Sequence, residues 1–331
     1  MGNRLITTLT TLAILAVTAF LLPSSGRAGE RYAFGGGPAG GTFQFMAAGI
    51  ASYPPVAANT DFSLVVKPSA GSVENLRKVD SGRYAMAVVY SGELYMGRNG
   101  LLKDDNRRYE NVLAVSYFYG APAQLVVHKK ARVDRASRLA GFRVGVGNVG
   151  SGAFANCERL FSHLGIWEQV QRNAMGYNDA AIAFANNKLD AFWLFAGYPA
   201  EAIVRATGRV EIELVDLYAE AEATGFFRKY PFFTKAVIPA GTYKGIDHDV
   251  ISYQDSALWV ANKDVPAEVV YTLLSAIYSD DGLAHMRRTR KTAAAMRIAD
   301  GIKGIVTPLH PGAEKFWREK GLLAGREITS R

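Results

Sequence analysis

Short apolar runs of strand length alternate along this chain with segments whose apolar positions recur at helical spacing. Tyr32–Phe34 reads as a strand that enters a glycine-rich turn, and Thr42–Tyr53 as a helix ended by Pro54-Pro55. Phe62–Lys67 alternates as a second strand into Pro68-Ser69-Ala70-Gly71. Ser72 is then placed to cap a helix carrying Glu74 in its first turn and Val73, Leu76 and Val79 on one face. Tyr84–Tyr90 is nearly all apolar, as a strand covered on both faces would be. Val112–Tyr119 and Gln124–Val127 read as two strands around Gly120-Ala121-Pro122.

The second half repeats this order. Arg143–Val146 leads into a second glycine turn and a helix through Leu164. Asn178 is placed to cap Asp179–Asn187, and Leu189–Phe195 returns as a buried strand. The chain is expected to leave this half near Ile238–Tyr243. A strand at Ser256–Val260 follows, then helices at Pro266–Tyr278, Asp281–Arg290 and Gly312–Lys320 that close back on the first half. Strand–helix–strand units of this kind imply a parallel sheet. The expected organisation is α/β with two lobes, 29–122 with 244–331 and 123–243. The chain crosses twice between them, which makes a hinge.

The N-terminus and the composition bound the setting. Arg4 precedes an apolar run from Leu5 to Leu22, and Pro23-Ser24-Ser25-Gly26 breaks it before Gly26-Arg27-Ala28. Residues 1–28 are therefore expected to be a signal peptide cleaved after Ala28, which places the protein in the periplasm; a retained membrane anchor is the alternative. Their removal takes away Arg4 and Arg27 and no acid, so the formal charge falls from +8 to +6. That balance suits an anionic ligand, but the basic residues form no nucleic-acid stripe, and Arg287–Lys291 reads as a solvated helix face. Cys157 is the single cysteine, which excludes an intrachain disulfide, and no ligand spacing for a metal is present.

Candidate chemistry narrows by elimination. Gly35-x-Gly37-x-x-Gly40 and Gly145-x-Gly147-x-x-Gly150 both match the dinucleotide fingerprint. The first lacks the acidic residue that should follow the second strand, where Leu64-Val65-Val66-Lys67 stands instead, and Pro38 removes a loop N–H. No phosphate loop ending Gly-Lys-Ser/Thr occurs. Cys157 falls on a packed helix face, and the histidines show no paired spacing. Asp247-His248-Asp249 reads as a surface loop.

What remains are the loops beyond the carboxyl ends of the strands, where open α/β sheets bind ligands. These hold Thr42 and Phe43, Ser69 to Val73, Tyr90 and Ser91, Gly150 to Ala153, Tyr177 and Asn178, and Phe195 to Tyr198. Hydroxyls, amides, aromatic rings and helix-start N–H groups dominate, with no excess of acids or bases. That inventory suits reversible capture of a small polar molecule, with no catalytic residues, no cofactor and no metal.

The order of Phe34-Gly-Gly-Gly-Pro-Ala-Gly-Gly-Thr-Phe43, Gly71-Ser-Val-Glu-Asn-Leu76, Val144-Gly-Val-Gly-Asn-Val-Gly-Ser-Gly152, Gly197-Tyr-Pro199 and Ile238-Pro-Ala-Gly-Thr-Tyr243 resembles the TAXI family over essentially the whole mature chain. These are the extracytoplasmic solute receptors of one TRAP-transporter branch. The resemblance implies a type II periplasmic-binding-protein-like fold and a carboxylate ligand between two lobes. It also implies a monomer that delivers to a TRAP membrane permease with small and large subunits, often fused. An ABC importer or a sensor is the alternative client, and an exported nucleotide-cofactor enzyme the more remote reading.

Two departures from the family matter. Val89-Tyr90-Ser91-Gly92 stands where the family tends to carry Val-Gln-Ser-Asp, and Ala153 where it carries Thr. They make the expected pocket less polar, so the expected ligand is an organic anion with an apolar or aromatic part. Its carboxylate is expected on Thr42, Ser72, Ser151 and Gly152. Asn178 and Tyr198 are expected to close over it from the second lobe. Phe43, Tyr90 and Phe195 would shape the apolar side, with Val73, Ser91, Gly150, Ala153 and Gly197 completing the expected site.

Overall fold

A computed structural model describes residues 29–37, 42–59, 61–149 and 151–323. The expected signal segment 1–28, residues 38–41 of the first glycine turn, and Gly150 lie outside these described residues. The strands are β1 (Glu30–Gly35), β2 (Phe62–Lys67), β3 (Met86–Tyr90), β4 (Val112–His128), β5 (Arg143–Gly145), β6 (Gln171–Asn173), β7 (Ala191–Phe195), β8 (Ile212–Leu214), β9 (Thr234–Ile238) and β10 (Val250–Asn262). The helices are α1 (Thr42–Ser52), α2 (Pro54–Ala57), α3 (Ser72–Asp80), α4 (Ser91–Arg98), α5 (Gly152–His163), α6 (Tyr177–Ala185), α7 (Glu201–Thr207), α8 (Tyr218–Ala223), α9 (Phe226–Lys229), α10 (Ala267–Ile277), α11 (Asp280–Thr289) and α12 (Pro311–Glu319). Among the described residues, no helix is long and apolar enough to cross a membrane.

The sheet is mixed rather than parallel throughout, in the order β2-β1-β3-β10-β4-β7-β5-β6, with β8 on β4 and β9 on β10. Parallel pairs form at β1–β2, β1–β3, β5–β6 and β5–β7. β10 runs antiparallel to β3, β4 and β9, and β4 antiparallel to β7 and β8. The break expected at Gly120-Ala121-Pro122 is absent, because β4 continues through it paired with β10, Gly120 facing Ser256 and Pro122 facing Gln254. Glycine at 120 admits the Gln254 side chain, which a Cβ there would meet at 1.7 Å. Pro122 has no N–H to place, and its carbonyl accepts the Ala196 N–H at 3.3 Å.

β4 and β10 carry the chain between separate hydrophobic cores. Residues 32–119 and 257–323 supply one cluster, with Phe34, Trp259 and Trp317 fully buried. Residues 121–253 supply two more, built around Phe161 and Trp193 on one side of the sheet segment and Phe184 and Phe192 on the other. Ile246 and Val250 pack in one cluster of this second set and Tyr253 in the other. α12 closes on the first cluster, where Trp317 Nε1 donates to the Val115 carbonyl at 2.8 Å.

Three caps differ from expectation. Gly71, at φ 125°, is the N-cap of α3, so Ser72 is the first helical residue and its hydroxyl caps nothing. Gly176 starts α6, leaving Asn178 inside its first turn without a capping bond. Pro266 sits at the N-cap of α10 rather than within its first turn. Ser151 does cap α5, accepting the Phe154 N–H at 3.1 Å. Cys157 is buried within α5, and burial pushes its thiol well above the usual range, which leaves it unreactive.

Candidate functional site

A cavity of about 800 Å³ opens where the two sets of cores face one another. The first set contributes the starts of α1 and α3, the β3–α4 junction, the segment after α4 and Tyr119 of β4. The second contributes the start and one face of α5, Tyr177 of α6 and the loop after β7. Thr42, Ser72 and Gly152 thus bring the first turns of three helices to one space, with their free N–H groups and the positive ends of their dipoles.

Between them the wall is aromatic. The Tyr90 ring meets Phe43 edge-on at 4.9 Å and Phe195 at 6.0 Å, linking the two sets of cores across the cavity. Tyr177 donates its hydroxyl to the Phe195 carbonyl at 3.1 Å and accepts the Phe195 N–H at 3.3 Å. Burial pushes the Tyr177 phenol up to about 12. Burial likewise raises Tyr90 and Tyr119. These hydroxyls are neutral hydrogen-bonding groups at any physiological pH.

The cations of the wall are each paired with a protein carboxylate. Arg77 meets Asp105 at 2.6 Å, Lys103 meets Glu158 at 2.7 Å and Arg159 meets Glu93 at 3.0 Å. Glu74 accepts the Ala70 N–H at 2.5 Å and pairs with Lys78, and these partners together lower its pKa. Among the described residues, no group of three or more His, Cys, Asp or Glu could hold a metal ion. The wall offers burial, directed N–H groups and neutral hydroxyls to a guest.

Nine of the residues singled out from the sequence border the cavity: Thr42, Phe43, Ser72, Val73, Tyr90, Ser151, Gly152, Phe195 and Gly197. Four lie off its wall. Ser91 is fully buried and donates its hydroxyl to the Gly304 carbonyl at 2.5 Å. Ala153 packs in the second core, under Gly147. Asn178 is exposed on α6, one position past Tyr177, so it projects to another face of the helix. Tyr198 is 41% exposed and likewise absent from the wall. Gly150 lies outside the described residues.

The sequence reading missed Glu93, Lys103, Tyr119, Glu158 and Arg159. The α5 pair was findable. Ala155 lies three residues past Gly152, and Glu158 and Arg159 lie three and four past Ala155, so a helix that starts at the cavity brings them to the same side.

Residues 34–321 match the family model described as NMT1-like family. A TctC solute-binding protein from Polaromonas is similar at 16% identity and a TM-score of 0.51, over 92% of this chain and 100% of that one. A chloride-bound protein from Xanthomonas citri is similar at 10% identity and a TM-score of 0.50, over 88% and 95%. MatC from Rhodopseudomonas palustris with bound malate aligns at 15% identity and a TM-score of 0.49, over 90% and 98%. The first two likenesses establish a two-lobed α/β fold, the fold of the TctC solute-binding protein.

Proposed function

Since the chain belongs to the NMT1-like family, we propose that it is an extracytoplasmic solute receptor that captures a small organic anion between two lobes and hands it to a membrane transporter. The observation that carries this reading is the cavity itself. Three helix starts and an aromatic wall, drawn from both sets of cores, surround one space of about 800 Å³. An anionic head resting near Thr42, Ser151 and Gly152 meets helix-start N–H groups and the Thr42 hydroxyl, while an apolar or aromatic body lies against Phe43, Tyr90 and Phe195. Phenols held neutral and the Glu74, Glu93 and Glu158 carboxylates committed to ion pairs suit binding rather than proton transfer, so the protein is read as a receptor and not an enzyme.

In this reading residues 29–122 with the C-terminal segment form one lobe, and the segment from 123 to the return in β10 forms the other. β4 and β10 flex between them, and a ligand that touches both lobes favours the closed form. Residues 1–28 export the chain to the periplasm. The sequence motifs support a TRAP permease of the TAXI branch as client, with a monomeric receptor. A permease gene beside this one, as against an ATPase gene, distinguishes that client from an ABC importer.

Thermal unfolding of the purified full chain against amino acids, keto acids, dicarboxylates, aromatic acids and NAD(P) tests the reading. A ligand at a hundred times its Kd stabilises by about 2.7 kcal/mol, a shift of a few degrees. A selective shift with one class of organic acid supports the receptor. A shift with NAD(P) alone overturns it.

A further inference from the structure

The cations around the cavity leave little charge for a guest. Arg77, Lys103 and Arg159 border it, and each already meets a carboxylate within 3.0 Å. The wall's own acids are Glu74, Glu93, Asp104 and Glu158. Only the Arg159–Glu93 pair is largely out of water, its side chains 13% and 3% exposed. Glu93 also accepts the Ser72 hydroxyl at 3.3 Å, which holds its carboxylate beside the first turn of α3. The Arg159 guanidinium packs near the Phe232 ring at 6.0 Å. Behind Gly92, Asp255 accepts the Gly92 N–H at 3.2 Å; burial and the nearby Glu93 charge favour its protonated form. One guanidinium and one carboxylate therefore cancel at the wall.

Resting on the receptor reading above, we propose that Glu93 sets the charge of the ligand. By holding Arg159 in an internal ion pair, it restricts the cavity to organic acids with one negative charge and an aromatic or apolar body. One carboxylate is accommodated by the helix starts, whose partial charges amount to about half a unit each. A second negative group finds no uncommitted cation among the described residues that line the wall and faces Glu93, Glu158, Asp104 and Glu74 instead. Discrimination of this kind comes from the repulsion built against the wrong guest. Removing the Glu93 charge hands the Arg159 charge to the ligand.

Calorimetric titration of the full chain compares matched acids: phenylacetate with 4-carboxyphenylacetate, and benzoate with terephthalate. It is run on the wild type, on E93Q and on E93Q/D255N, in which the second buried carboxyl can no longer ionise beside Arg159. The wild type is expected to bind the monoacid at least about tenfold more tightly than its diacid. E93Q, and more so E93Q/D255N, should raise relative diacid affinity by about ten- to a hundredfold, the effect of a unit charge over several ångströms at intermediate dielectric. A wild type that prefers the diacids, or a folded E93Q with an unchanged ratio, overturns the role of Glu93 while leaving the receptor standing. No binding of any acid by any variant overturns the organic-anion reading itself. Circular dichroism establishes folding, and if E93Q does not fold the wild-type ratio decides.

Discussion

Tyr90 donates its backbone N–H to the Ser72 hydroxyl at 2.9 Å, tying the end of β3 to the first turn of α3 at the edge of the cavity. Ser72 Oγ in turn donates to Glu93. The hydroxyl works inward, between two other elements, and not on its own helix.

Ser72→Ala is therefore expected to lower stability, because it strands the Tyr90 N–H and removes a donor from Glu93. The cost should be about 1–3 kcal/mol, read as a drop of a few degrees in Tm. An unchanged Tm would mean that the bridge contributes nothing.

Asn75 explains why its motif carries an amide. Fully buried in α3, it donates from Nδ2 to the Gly36 carbonyl at 2.6 Å and to the Val88 carbonyl at 2.8 Å, joining the residue after β1 to the middle of β3. Asn75→Ala leaves two carbonyls unmet and should cost about 2–4 kcal/mol. Urea unfolding should show a lower midpoint at an unchanged m-value; an equal midpoint would contradict the bracing role.

Gly92 is required by close approach. A Cβ there would stand 2.6 Å from Asp255 Oδ2 and 2.7 Å from the Phe232 ring. Gly92→Ala is expected to cost about 1–3 kcal/mol through overpacking. Gly92→Asp should cost more because it sets a second carboxyl against Asp255. Soluble yield and Tm should fall in that order, and a stable Gly92→Asp protein would refute the argument.

Asp255 gives a pH dependence whose sign follows from burial. Its carboxyl binds a proton more tightly in the folded chain than in the unfolded one, where the ordinary value of 3.8 applies. Between those two pKa values folding takes up a proton, so this group's contribution to stability declines as pH rises from about 4 and levels off above the folded value. Asp255→Asn should flatten that part of the stability profile. Parallel profiles for the two proteins would show that Asp255 does not titrate in this way.

Much of the architecture was legible because it is local. Phe62–Lys67 alternates with a period of two and is a strand over those residues, and the spacing of Leu76 and Val79 buries both on one face of α3. Thr42, Ser72 and Gly152 were placed at the cavity by a rule about strand ends that needs no knowledge of partners. Tyr177 stood in the same loop-end inventory, while its neighbour Asn178 points elsewhere because one residue turns a helix by about 100°.

The alternation of apolar runs, the turn glycines and the helix starts determined by themselves the kind of the principal elements and which of their ends could hold a ligand, but not the short β6, β8 and β9 or the helices α2, α4, α7, α8 and α9. Those preferences act within a few residues of chain. Only tertiary structure decided that β4 runs on through Gly120 and Pro122, because the partner that carries it is β10, some 130 residues away. It also decided that Arg159 spends its charge on Glu93, 66 residues earlier. A buried charge takes whichever partner the packing of distant elements brings within hydrogen-bond reach, and no local pattern encodes that distance.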